Sequence, residues 1–503
     1  MKVLPASYHN NAAGTSITAT SRSRSARSVL HIHKFVVFAL LLAAVVFPLL
    51  IAKTGYVSGV FLLLIFVGLP VVYSVVVYPE MGILTLLIAA YFVMWVIRIG
   101  INFPLGTLMD ALQLLLLIGF FIKQKTEPDW SFLKVPISKV ILVWIVYNLL
   151  EVVNPEASSK LAWLYTIRSV AAVTLNYFVF VYQIKTIQFL RVCIKLWISL
   201  SLFAALYGFK QEHYGFFAFE QARLNDPLSI SLLFINGVWR KFSIFSDPVA
   251  FSYNMVISSL LCISLMTGTF KTWKKILMLF LALFFLLNML YSGTRGAYVL
   301  VPASLVLLAT LNYSRKVLII SLIGGFLIVL MIVMPTANPT ILRFQSAFKP
   351  SSDASYTVRQ NNQKRIQPYI LKHPFGGGLG ATGVWGARFA PNSYLAHFPP
   401  DSGYVRVAVE LGWIGLFLIC LLMFIILKTG ISNYFKIQDP ELKAYCLAAT
   451  TIVFALNIGD FPQEAIVQFP TNILFYFATA MISVTLKLDH QLAKIATNGA
   501  GNN

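Results

Sequence analysis

Arg240, Arg295, Arg359 and Arg365 stand with Asp401 and Glu410 in a 503-residue chain of which only 11% is charged. A guanidinium presents a rigid fork of N–H donors that matches phosphate oxygens, and a carboxylate can take a proton from a hydroxyl. These residues fall in three polar breaks between apolar runs. The first is Arg240-Lys241-Phe242-Ser243-Ile244-Phe245-Ser246-Asp247-Pro248, where Asp247 also suits a helix N-cap ahead of Pro248. The second is the tight turn Tyr291-Ser292-Gly293-Thr294-Arg295-Gly296-Ala297, whose small residues crowd Arg295. The third runs from Arg359 to Glu410 and holds His373-Pro374-Phe375-Gly376-Gly377-Gly378-Leu379-Gly380 and Asp401-Ser402-Gly403-Tyr404.

In the glycine-rich segment, free N–H groups of Gly378 and Gly380 can form a nest for an anion. The segment lacks the Lys-Ser/Thr ending of a phosphate loop. His373 suits either catalysis or a structural role, and Asp401 suits either a general base or the cap of the helix it precedes. Arg168 is about 10 Å into an apolar run at the helical rise per residue, a depth at which arginine faces protein or a wet cavity.

The elements that position these residues are membrane spans. The chain is 58% hydrophobic with a mean hydropathy of +0.77, far from soluble composition. Apolar runs of about span length recur near 35–52, 56–78, 82–98, 107–122, 137–153, 162–183, 190–208, 248–269, 275–291, 297–312, 316–334, 403–427, 443–458 and 470–486. This pattern predicts an all-α polytopic membrane protein with about 12–14 transmembrane helices and one large outer loop. Residues 1–34 have the composition of a disordered basic tail, spans occupy 35–334 with an outer loop near 209–247, the large loop is 335–402, further spans fill 403–486, and 487–503 form a second tail. Cys193, Cys262, Cys420 and Cys446 all lie in apolar runs, where they act as small hydrophobes and offer no metal site.

The net charge of +21 follows membrane topology rather than nucleic-acid binding. With the amino terminus inside, Lys123, Lys125, Lys134, Lys139, Lys185, Arg191, Lys195, Lys271, Lys274, Lys275, Arg315, Lys428, Lys436 and Lys487 all fall on the cytoplasmic side. The large loop is then outside, with Arg343, Lys349, Arg359, Lys364, Arg365, Lys372 and Arg388 against Asp353 and Asp401. This cationic surface suits either an anionic substrate such as a diphosphate or the headgroups of membrane lipids.

The three breaks, in this order, resemble the bacterial O-antigen ligase and O-antigen polymerase superfamily. The resemblance rests on Arg240 to Pro248, on Ser292 to Ala297, on the His-Pro-x-x-Gly-x-Gly pattern of His373 to Gly380, and on Asp401 to Tyr404 followed by Glu410-Leu411-Gly412. It implies a membrane glycosyltransferase that transfers or polymerises an undecaprenyl-diphosphate-linked oligosaccharide onto a glycan or lipid acceptor. The work would be done at the periplasmic face of the inner membrane, with both termini cytoplasmic and without cofactor or metal, for O-antigen, lipopolysaccharide or exopolysaccharide, and alongside other polysaccharide-assembly proteins. On that resemblance Arg240 and Arg295 hold the diphosphate, with Arg359, Arg365, Arg168, Gly378, Gly380 and Tyr404 contributing to substrate binding, while Asp401, His373 and Glu410 are the catalytic candidates. Ligases of the family begin the polar pair with His where this chain has Asp401, which favours a polymerase. A transporter or flippase of lipid-linked glycan and an inert assembly scaffold are the competing expectations.

Overall fold

The computed structural model describes residues 68–100, 105–235, 237–313, 315–348 and 354–500. Contacts divide the chain into residues 1–73 and 74–503, and everything below concerns the second unit. The expected tail at 1–34, the apolar run at 35–52 and most of the run at 56–78 lie outside the described residues.

A long apolar segment in lipid can satisfy its backbone only as a helix, and the chain is built accordingly. In order the helices are α1 (Pro79–Arg98), α2 (Leu105–Thr126), α3 (Pro136–Leu150), α4 (Lys160–Gln183), α5 (Ile187–His213), α6 (Ala218–Leu224), α7 (Pro227–Leu233), α8 (Pro248–Leu265), α9 (Thr272–Tyr291), α10 (Arg295–Tyr298), α11 (Leu300–Leu311), α12 (Arg315–Val333), α13 (Pro339–Ser346), α14 (Ala354–Lys372), α15 (Gly383–Phe389), α16 (Gly403–Glu410), α17 (Gly412–Lys436), α18 (Pro440–Gly459) and α19 (Thr471–Ala500). A two-residue hairpin, β1 (Phe234–Ile235) with β2 (Val238–Trp239), leads into Arg240. Among the described residues ten helices are long and apolar enough to cross a membrane: α1 to α5, α8, α9, α17, α18 and α19, with α3 extended to Val153 by a 3-10 turn. The protein is thus a multi-pass, all-α membrane protein.

The centre is formed by α8, α18 and α19, of which α8 packs on α9 and α18, and α18 on α19. Small polar residues are buried in these helices: Ser259 on α8 donates to Ala282 O of α9, Ser258 meets Trp197 and Ser201 of α5, and Thr450 on α18 lies against Gly430 of α17. Side chains of this size allow close approach of helices where no hydrophobic gain separates helix from lipid. Cys193, Cys262 and Cys446 are buried as expected, whereas Cys420 is exposed on the outer face of α17.

Three sequence expectations change. The run at 403–427 is two helices, because Gly412 takes a φ of +67° and ends α16 at Glu410. The run at 297–312 breaks into α10 and α11, and the expected tail after 486 is the continuation of α19 to Ala500.

Chain connectivity brings the segments 154–159, 214–235, 237–247, 292–294, 334–348, 354–402 and 460–470 to one end of the bundle. At the opposite end ion pairs join neighbouring helices and loops: Lys185 to Glu127 at 2.6 Å, Arg191 to Glu441 at 2.6 Å and Lys487 to Asp129 at 3.0 Å.

Candidate functional site

The turn after α9 is shaped by its own side chains. Ser292 Oγ donates to Met289 O at 2.7 Å and accepts from Thr294 N at 3.2 Å, while Gly293 sits at a φ of +61°. Arg240 comes to this turn from the hairpin. Its Nε donates to Ser292 O at 3.0 Å, its Nη2 to Thr294 Oγ1 at 3.0 Å and its Nη1 to Leu232 O at 3.3 Å. Arg343 arrives from α13, donating Nε to Gly293 O at 2.5 Å. The helix is started by Asn338, whose Oδ1 accepts from Thr340 N at 2.9 Å, and anchored by buried Phe344 against Tyr298 with ring centroids 5.1 Å apart. Arg295 opens α10 beside them. Burial, reinforced by the Arg343 charge and more weakly by Arg295, brings the Arg240 guanidinium down to about 10, with Asp247 opposing. Arginines from three segments, Arg240, Arg343 and Arg295, therefore meet at the turn between α9 and α10.

The segment leading from Arg240 into α8 is held from beneath. Arg98, at the end of α1, donates Nη1 to Ser243 O at 2.8 Å, reaches Phe245 O through Nη2, and pairs with buried Glu220 at 3.6 Å. Asp247 caps α8 as expected, accepting from Val249 N at 2.8 Å and Ala250 N at 3.1 Å.

The glycine-rich loop is a nest, but its anion is part of the protein. Gly378 N donates to Glu410 O at 2.9 Å and Gly377 N to Val409 O at 2.9 Å. Gly380 N donates to Glu410 Oε2 at 3.0 Å, and Thr382 N to Glu410 Oε1 at 3.2 Å, with the Thr382 hydroxyl on the same oxygen. The expectation that Gly378 and Gly380 present free amides to a substrate is corrected: these donors are consumed by the end of α16. A Cβ on Gly376 would stand 2.4 Å from Gly412 N, so two backbones touch where the loop docks on the break between α16 and α17.

Glu410 is 3% exposed and also receives Arg406 Nε at 3.2 Å, while Arg406 Nη1 reaches Glu464 Oε2 at 3.1 Å. Between these two carboxylates the Arg406 guanidinium is held well above its usual range, Glu410 being the larger influence. Burial raises Glu464, with Arg406 opposing. Asp460, just past α18, lies under the start of α16: its carbonyl accepts from Gly403 N at 2.9 Å and Ser402 Oγ at 3.2 Å. Burial pushes its carboxyl up to about 7.

Asp401 does not cap α16; Ser402 does, through Val405 N. The half-buried Asp401 carboxylate accepts from Asn362 Nδ2 at 3.3 Å and acts electrostatically on Glu464. Tyr404 directs its hydroxyl to the Asn457 side chain and carbonyl. His373 lies apart: its ring stacks on Tyr369 at 3.9 Å, Nδ1 is 2.8 Å from Tyr369 O, and Nε2 is 3.8 Å from Glu156. Arg365 is exposed over the Phe398 ring at 5.9 Å. Arg359 is within electrostatic reach of Tyr253, whose hydroxyl donates to Gly459 O at 3.0 Å. Arg168 pairs with Asp110 at 3.0 Å.

The arginine turn and the acidic group share a wall, the segment 460–470. A Cβ on Gly296 would lie 3.3 Å from Pro462, and Ser246 Oγ donates to Gln468 Oε1 at 3.3 Å. Sequence reasoning passed over Arg98, Arg406, Asp460 and Glu464, and took Arg343 only as loop charge. The one readable signal was the four-residue spacing of Arg406 and Glu410, which puts both on one helix face. Among the described residues no group of three His, Cys, Asp or Glu is arranged to hold a metal ion.

No curated protein matches the chain. The family model Wzy_C, O-antigen ligase, matches residues 277–420, which include the Arg295 turn, Arg343, the glycine loop and Glu410. Over these residues, fewer than a third of the chain, the sequence is similar to the O-antigen ligase family.

Proposed function

We propose that the protein elongates or transfers an undecaprenyl-diphosphate-linked oligosaccharide at the periplasmic face of the bacterial inner membrane, as a polymerase rather than a ligase. The observation that carries this reading is the meeting of Arg240 and Arg295 at one turn beside the 460–470 segment, whose Glu464 also feels the charge of Asp401. In the reaction, the acceptor hydroxyl oxygen bonds to the anomeric carbon as the bond from that carbon to the diphosphate oxygen breaks. The electron pair leaves with the lipid diphosphate, whose charge the guanidinium groups stabilise. The hydroxyl proton passes to Asp401.

Of the three catalytic candidates Asp401 suits that role best. Glu410 is committed to Arg406, Gly380 and Thr382, and His373 is turned to Tyr369 and Glu156. Asp401 at the position where family ligases carry His is what favours the polymerase.

The test is reconstitution with a lipid-linked oligosaccharide. Wild type should lengthen the donor glycan into a ladder without a separate acceptor, and EDTA should leave the rate unchanged. Arg295→Ala should slow the reaction by about 100-fold or more, the scale on which a transition-state charge partner acts. An Arg295→Ala protein at normal membrane level that still makes full-length polymer would refute the assignment, as would movement of the donor across a liposome bilayer with no product.

A further inference from the structure

Two cations reach the same turn from opposite sides, and only one of them stands out in the sequence. Arg240 and Arg343 are each anchored through Nε to successive carbonyls, Ser292 O and Gly293 O. Anchoring at Nε fixes the plane of a guanidinium and so aims its remaining N–H groups. The turn is shaped to admit both side chains: Gly293 has a φ of +61°, and a Cβ there would stand 2.9 Å from Arg343 Nε and 3.3 Å from Arg240 Cγ.

A cleft lies against the pair. Arg240 and Arg343 line it, and its remaining walls are largely apolar, with Ile235, Val238, Trp239, Leu290 and Tyr291. Burial weakens the hold of Arg240 on its proton, and the like charge of Arg343 adds to the effect. A bound dianion would relieve the repulsion. A free sugar phosphate would leave the apolar wall untouched, whereas a prenyl diphosphate would set the first carbons of its chain against it.

We infer that Arg343 is a third ligand of the donor's diphosphate, and that the cleft beside it takes the first isoprene units of the lipid carrier. The inference rests on the proposed function above and replaces Arg365, which the sequence puts forward as the additional loop cation. Arg365 projects from α14 over Phe398, whereas Arg343 is bonded to the turn itself. Because Arg343 arrives on α13, donor binding is coupled to the docking of the outer loop through Phe344 and Tyr298.

The experiment uses the purified full chain with lipid-linked oligosaccharide as donor, and inorganic pyrophosphate and farnesyl diphosphate as inhibitors. Wild type should be inhibited by farnesyl diphosphate at lower concentration than by pyrophosphate. Arg343→Ala should raise the donor KM and both inhibition constants by about tenfold or more, the effect of losing a charge-assisted contact. Arg365→Ala should leave all three within about twofold, as for an exposed charge outside the site. Ile235→Asn should weaken farnesyl diphosphate and spare pyrophosphate. If Arg343→Ala does not accumulate, Arg343→Lys keeps the charge but loses the fork, and an unchanged donor KM in that variant overturns the inference. Unchanged inhibition constants in Arg343→Ala overturn it equally. These outcomes are separable from failure of the proposed function, which is read from Arg295→Ala and from the liposome assay.

Discussion

A Cβ on Gly403 would lie 2.3 Å from both carboxylate oxygens of Asp460, so glycine at 403 is what lets the acid sit beneath the first turn of α16. Burial raises the Asp460 carboxyl from 3.8 to about 7; the Ala465 and Ile466 amides and Arg406 oppose this, and Glu464 adds to it. Tyr253 and Tyr404 also face it. A carboxyl whose folded pKa is raised binds its proton more tightly folded than unfolded, so folding carries no penalty from it below pH about 4 and the full penalty above about 7. Thermal unfolding in detergent should therefore occur at progressively lower temperature across that interval. Asp460→Asn should flatten the dependence; an unchanged pH profile would show that Asp460 is ionised throughout. Gly403→Ala should destabilise by about 1–3 kcal/mol, as overpacking does.

Glu410 is the keystone of the glycine loop, and its substitution should act through stability. Removing its carboxylate leaves the buried amides of Gly380 and Thr382 without their acceptor, at about 1–3 kcal/mol for each group, while Arg406 keeps Glu464. Glu410→Ala should accordingly lower the melting temperature and open the 373–382 segment to protease, with activity falling in step. A Glu410→Gln protein as stable as wild type yet inactive would point to a chemical role instead.

Arg168 and Asp110 form a pair in which the arginine side chain is 44% exposed. The ion-pair partner of Arg168 is thus Asp110 of α2 rather than a group of the arginine turn, so Arg168→Gln should leave polymer length on a gel nearly unchanged. Loss as complete as in Arg295→Ala would return Arg168 to the substrate site.

Arg98 and Glu220 are both buried, the side chains 3% and 0% exposed. Here the stranded charge is Glu220, and Arg98→Ala should destabilise by about 3–5 kcal/mol. Because Arg98 holds the carbonyls of Ser243 and Phe245, the same variant should displace Arg240 and raise the donor KM. Arg98→Ala with wild-type stability and KM would remove this strut from the account.

Much of the architecture was legible in the chain because lipid imposes a local rule. A run that must satisfy its own backbone becomes a helix wherever it lies, so runs such as 82–98, 162–183 and 443–458 correspond to α1, α4 and α18. The arginine breaks were legible for the same reason, since a charge amid apolar residues stands out. Where the local rule was interrupted, the expectation failed. Gly412 turns one apolar run into two helices, because only the close contact with Pro374 and Gly376 demands its positive φ.

Sequence alone thus determined the class of the protein and singled out Arg240 and Arg295 as charges between apolar runs, because composition and charge in an apolar background need no partner to be read. Tertiary structure decided which partners those groups have. Four donors of the glycine loop, the amides of Gly378, Gly380 and Thr382 and the Thr382 hydroxyl, turn to Glu410, 28 to 32 residues along the chain. Arg343 meets Gly293 across 50 residues, and Asp460 meets Gly403 across 57. Pairings of that range depend on how helices pack, and no local pattern of residues encodes them.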